Sequence, residues 1–230
     1  MALYYPKDYF HNFKHKYTSV SENDLVSIKQ CLPPLYPGCT ILDLACGSGA
    51  LGEWLRDNLD NITVVGSDIC MPLLKWASFP ACQSDAAYLP FKDAAFDGVV
   101  AAAAFHHFPN MDTVIKECFR CLKPGGFLLA YDPNKFHPQR FIMMTDPLRY
   151  FFYRNGDHAL SPIVFKKRLM KEGFRTISIR YLAFDSGELT SLSRLNHRMI
   201  SLYDGLWSKW LQPFIFPWFV ITGIKDNRKQ

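Results

Sequence analysis

The stretch ILDLACGSGALGEWL, residues 41–55, constrains this chain more than any other: an apolar run ends in an acidic residue, turns on glycines and resumes as an amphipathic segment. Asp43 sits at the end of the apolar run, and Gly47 and Gly49 follow at G-x-G spacing, so the backbone can turn sharply and approach a ligand with no Cβ in the way. Gly52 formally completes the G-x-G-x-x-G spacing of a dinucleotide site. A strand, glycine turn and helix in this order belong to an α/β sheet that binds its ligand beyond the carboxyl ends of the strands.

The rest of the chain repeats the rhythm. β-rich runs at 40–45, 63–68, 81–85, 96–104 and 127–133 alternate with helical patterns at 51–59, 71–77 and 111–122. Such alternation predicts a parallel sheet covered by helices. A Ser cap followed by proline predicts a helix over 161–172, FRTISIRYLAF (174–184) a further strand, and PWFVITGIK (217–225) the last one. Two aromatic segments, FIMMTDPLRYFFYRN and SLSRLNHRMISLYDGLWSKWLQPFIF, stand outside the rhythm. They read as helix packed on the core or as a lid over the strand ends.

With 230 residues, 49% hydrophobic and 20% charged, the chain can bury a full core. Its aromatic and charged opening lacks the pattern of a signal peptide, so a cytoplasmic location is expected. Seven scattered cysteines predict reduced thiols, with Cys118 and Cys121 as core residues rather than metal ligands. From Ser161 onward twelve Lys/Arg face five Asp/Glu. That excess suits an anionic lipid or phosphate, or simple solubility; nucleic acid is not expected as a partner, because no recognised binding motif accompanies the charge. Pro213 and Pro217 interrupt the best apolar run, which disfavours a spanning helix.

TVVGSD ends in Asp68, where a carboxylate can accept both ribose hydroxyls of either NAD or S-adenosylmethionine. The order of the further motifs breaks the tie. CQSDAAYLPFKDAAFDGVV followed by LKPGGFLLAYDPN makes residues 40–133 resemble the class I S-adenosylmethionine-dependent methyltransferases, in particular the subgroup written D-x-x-x-L-P-F, S/A-F-D-x-V, L-K-P-G-G. The resemblance implies a Rossmann-like, doubly wound α/β fold with a mostly parallel seven-stranded sheet and helical lid insertions. One domain is expected: an N-terminal helical segment (1–38), a donor-binding core (39–134), acceptor-side insertions (135–160 and 186–216) and a last strand (217–225).

The same resemblance implies that Asp43 and the loop from Ala45 through Gly47 to Gly49 surround the methionine part of S-adenosyl-L-methionine and that Asp68 holds the ribose. Asp85 would hold the adenine amino group, Ala86 and Ile69 would border the ring, and Ala104, within Ala103 to Phe105, would close over the methionine end. The family writes glycine where this chain has Ala45, which narrows the space beside the donor. Against these roles stands a structural one, since strand-end aspartates also make Asx turns and caps.

Methyl transfer needs alignment above all, and a base only where the acceptor still holds its proton. His107 and His106, after the fourth strand, are the candidate bases; the alternative is that they hold the loop. As neighbours they are expected to point their rings apart. Asp132 and Asn134 lie where they would meet substrate or form a turn, and Asp97 is expected to hold a structural turn. The aromatic insertions (Phe141, Met143, Met144, Tyr150 to Tyr153, Trp207, Trp210, Phe214, Phe216) suggest a small, apolar or aromatic acceptor. The alternatives are a peripheral membrane enzyme of a quinone, polyketide or lipid-linked saccharide pathway, with Trp207, Trp210 and Phe214 at the interface, and a non-catalytic donor-binding protein.

Overall fold

The computed structural model of the chain describes residues 20–137, 159–182 and 212–226. Helix α1 (Glu22–Lys29) starts on a capping box: Ser21 Oγ accepts the Asp24 N–H at 3.2 Å and the Asp24 carboxylate accepts the Ser21 N–H at 3.1 Å. There follow β1 (Thr40–Leu44), α2 (Ala50–Asn58), β2 (Thr63–Asp68), α3 (Met71–Leu74), β3 (Ala81–Gln83), β4 (Phe96–Ala102), a 3₁₀ turn (Phe105–His107), α4 (Met111–Cys121), β5 (Leu122–Pro133), α5 (Pro162–Glu172), β6 (Phe174–Leu182), α6 (Gln212–Ile215) and β7 (Trp218–Lys225). The strands form one sheet in the order β3-β2-β1-β4-β5-β7-β6. Only β7 runs against its neighbours, β5 and β6. This is the expected doubly wound, mostly parallel sheet.

The strand period of two builds its two faces. Ile41, Val100, Leu129 and Tyr131 point into a layer formed with Leu25 and Ile28 of α1 and Leu51 and Leu55 of α2. Their chain neighbours Leu42, Val99, Ala101, Leu128 and Ala130 point the other way, against Val114, Ile115 and Cys118 of α4 and Phe165 and Leu169 of α5. Cys121 is buried in this second layer with Cys118, and all seven cysteines are free thiols.

Several element ends differ from the sequence expectation. Strand β3 stops at Gln83, which leaves Asp85 in the following turn, and β4 stops at Ala102. Beyond Leu74 the chain tightens into i→i+3 bonds, Trp76 N–H to Leu73 C=O and Ala77 N–H to Leu74 C=O, so α3 is short. Strand β5 begins at Leu122 rather than Phe127, because LKPGG enters the sheet across an irregularity in the β4 pairing, with Phe96 opposite Leu122 and Gly98 opposite Phe127. Among the described residues no helix is long and apolar enough to cross a membrane. Residues 1–19 of the expected N-terminal helical segment lie outside the described residues, as do the substrate-side candidates Phe141, Met143, Met144, Tyr150 to Tyr153, Trp207 and Trp210.

Candidate active site

The parallel register aligns the carboxyl ends of β1, β2, β4 and β5, and the acidic strand ends follow from it. Asp43 is almost completely buried and its Oδ2 accepts the Gly52 N–H of α2 at 2.9 Å. Burial pushes its pKa up to about 7; the Gly52 bond opposes the shift and the neighbouring charge of Asp68 adds to it. The approach of α2 that makes this bond requires Gly52, since a Cβ there would lie 2.4 Å from the Phe79 ring and 2.9 Å from Asp43 Oδ2.

Between β1 and α2 the loop runs through three left-handed residues, Ala45 (φ 54°), Gly47 (φ 53°) and Gly49 (φ 86°), with Gly49 as the cap of α2. Asp68 fastens this loop to the next strand. Its Oδ2 accepts the Gly47 N–H at 2.7 Å and its Oδ1 the Cys70 N–H at 2.7 Å. Burial raises the pKa of Asp68, opposed by these N–H bonds and by the charge of nearby His107. Ile69, beside it, is an exposed apolar side chain at 43%. In the turn after β3, Asp85 Oδ1 accepts the Ala87 N–H at 2.9 Å, an Asx turn, with Ala86 half-buried between them. Asp85 thus performs the structural duty that strand-end aspartates often have.

The fourth strand delivers Ala104, buried, into the 3₁₀ turn Phe105–His107. Three residues per turn, rather than the two of a strand, rotate the histidines by a third of a circle. Their rings therefore do not point apart: the centroids are 3.8 Å from each other, tilted by 43°. His106 Nδ1 lies 2.7 Å from Oδ1 of Asp132 at the end of β5, and Asp132 also accepts the N–H groups of His106 (3.1 Å) and Phe105 (3.3 Å). The charge of His107 is felt at Asp68. Sequence reasoning marked Asp132 as a substrate contact or turn residue and missed this partnership. The only signal for it is the parallel β4–β5 register, which sets Ala102 beside Tyr131.

Other motif residues are structural. Asp97 accepts from the Thr40 N–H, the Tyr36 hydroxyl and Lys123 Nζ, joining three segments at the opposite end of the sheet. Arg120 donates to the carbonyls of Leu89 and Phe91 and to Asp93 and Glu117, so LPF is a clamped loop. Among the described residues no group of His, Cys, Asp and Glu is arranged to hold a metal ion.

The chemistry of these groups suits a cationic nucleoside. Asp43 and Asp68 are buried carboxylates that repel one another, and a sulfonium with an ammonium group nearby would offset both. The Asp68 carboxylate accepts from the Gly47, Cys70 and Ile69 N–H groups and keeps acceptor capacity for a ribose hydroxyl. Ile69 offers an apolar surface to a planar base.

Comparison with known proteins agrees. A family model described as a methyltransferase domain matches residues 42–130. The chain is 34% identical over 136 residues to the human protein named "Probable tRNA methyltransferase 9B", covering 54% of this chain and 29% of that one. It is 37% identical over 101 residues to the demethylmenaquinone methyltransferase of Thermus thermophilus, covering 40% and 46%. It therefore spans less than half the length of these relatives. The fold matches Haemonchus contortus phosphoethanolamine N-methyltransferase 2, solved in complex with S-adenosyl-L-methionine, with a TM-score of 0.68 at 16% identity over 89% of this chain and 53% of the other. Residues 42–130 thus match a methyltransferase-domain family, and that match together with the fold supports a class I methyltransferase with S-adenosyl-L-methionine as methyl donor.

Proposed function

We propose that the protein methylates a small, apolar or aromatic acceptor held over the carboxyl ends of β4 and β5. The observation that carries this reading is the histidine pair, with His106 on Asp132 at the end of β5 and the charge of His107 felt at Asp68. S-adenosyl-L-methionine supplies an electrophilic methyl on a sulfonium and leaves as the neutral thioether. Asp43, Asp68 and the loop of Gly47 and Gly49 bind and orient it. A histidine at the rim takes the proton of a hydroxyl or amine acceptor as the bond to the methyl forms.

An apolar acceptor is favoured by Phe214, 54% exposed, whose ring centroid is 6.3 Å from that of Phe136 just past the end of β5. The similarity to a demethylmenaquinone methyltransferase supports the same choice. A nucleic-acid acceptor is the second reading, supported by the human relative's name and the basic excess after Ser161. Labelled donor incubated with the protein and two fractions of cell extract, total tRNA and the small-molecule and lipid pool, separates them. Label is expected in the second fraction, and label in tRNA alone overturns the proposal.

A further inference from the structure

Asp132 is fully buried, yet both its oxygens are engaged, and two of its three partners are backbone N–H groups, which can only donate. An ionised Asp132 can only accept, and in that state the third partner, His106 Nδ1 at 2.7 Å, supplies the proton of the bond. In the neutral imidazole this leaves the lone pair on Nε2. We infer that Asp132 is a positioning residue that holds His106 as the Nδ1–H tautomer and makes its Nε2 the proton acceptor of the reaction.

The turn geometry supports the inference independently of the ring. Asp132 accepts the two amides that begin the turn, Phe105 and His106, so the backbone that carries the imidazole and the imidazole itself are held by one side chain. The His106 side chain is only 10% exposed and packs against the His107 ring, which restricts rotation further. The charge of His107 is felt at Asp68 instead. The sequence ranks His107 ahead of His106 as the base; the Asp132 bond leads us to propose His106. In the step, the acceptor's O–H or N–H proton passes to Nε2 as the acceptor atom bonds to the methyl carbon and the carbon–sulfur bond breaks. The imidazolium that results is stabilised by the Asp132 carboxylate.

This inference rests on the methyltransferase reading for its chemistry, but its first test does not. In ¹⁵N-labelled full-length protein at about pH 9, where imidazoles are neutral, long-range ¹H–¹⁵N correlation reads the tautomer of each histidine, with His106→Gln supplying the assignment. His106 is expected with its proton on Nδ1, and a proton on Nε2 overturns the inference. In Asp132→Ala the proton is expected to move to Nε2; a folded variant that retains the Nδ1–H form is equally fatal, and if the variant fails to fold the wild-type spectrum decides. In the labelled-extract assay His106→Gln should lose about 10²-fold or more in transfer, with adenosylhomocysteine affinity, by calorimetry, within about twofold of wild type. Retention of most transfer by a donor-binding His106→Gln overturns the role of Nε2. Wild-type protein that binds no adenosylhomocysteine and transfers no label would instead sink the methyltransferase reading, and the tautomer result would stand on its own.

Discussion

Ala45 has φ 54°, a conformation in which an L side chain costs roughly 1–2 kcal/mol relative to the right-handed region. The family's glycine would relieve that strain, and the greater freedom of glycine in the unfolded chain returns about 0.5–1 kcal/mol. Ala45→Gly is therefore expected to leave stability unchanged or raise it by up to about 1 kcal/mol, and lower stability in urea titration would contradict the strain. Asp43 gives a second expectation, with a definite sign. Its folded pKa, about 7, lies above the ordinary 3.8, so the folded state holds the proton more tightly and stability falls as pH rises through that interval. Burial of Asp68 acts in the same direction. The loss for Asp43 is of order a few kcal/mol. Asp43→Asn keeps an oxygen for the Gly52 N–H and should flatten the decline of melting temperature between pH 5 and 8 in ligand-free protein; an equal slope in both proteins would show that the carboxyl does not titrate there. At this scale the acidic strand ends and the glycine turn were legible, because each is a local pattern. The His106–Asp132 bond was not: its partners are 26 residues apart and meet only through strand register.

Elements were legible where the side-chain period persists. β2 follows its expectation at both ends, and α5 begins where Ser161 caps it, with Ser161 Oγ accepting the Val164 N–H at 3.3 Å. Ends were lost where tertiary pairing overrides local preference. LKPGG holds a proline and two glycines and reads as a break, yet β5 includes it, since Leu122 pairs opposite Phe96. Gly52 illustrates the reverse case. Glycine in a helix costs about 1 kcal/mol against alanine, but at this position contact with Phe79 and Asp43 excludes a Cβ. Close approach of α2 to β1 brings the Gly52 N–H to the buried carboxylate, and the formal third glycine of the fingerprint has its physical reason in that contact.

Across the whole molecule, the roots of both insertions meet at one buried side chain. Asn134 Nδ2 donates to Phe216 C=O at 2.8 Å, its Oδ1 accepts the Phe136 N–H at 3.1 Å, and its own N–H donates to Pro217 C=O at 2.8 Å. A bridge to Leu160 adds the entry to α5, with the Lys135 N–H on Leu160 C=O and the Leu160 N–H on Pro133 C=O. The DPN turn was visible in the sequence, whereas a partner 82 residues further on was not. Asn134→Ala removes the side-chain bonds to Phe216 and Phe136 and strands a buried carbonyl and an N–H, each at about 1–3 kcal/mol, so a loss of roughly 2–6 kcal/mol is expected in urea titration. The backbone bonds across the knot should loosen with it. Hydrogen exchange should therefore quicken at Phe136 and Leu160, while the amides of Gly47, Gly52 and Cys70, bound to Asp68 and Asp43, keep their protection and adenosylhomocysteine affinity stays within about twofold. Equal acceleration at those three amides would mean that the Asn134 knot and the loop held by Asp43 and Asp68 open as one unit.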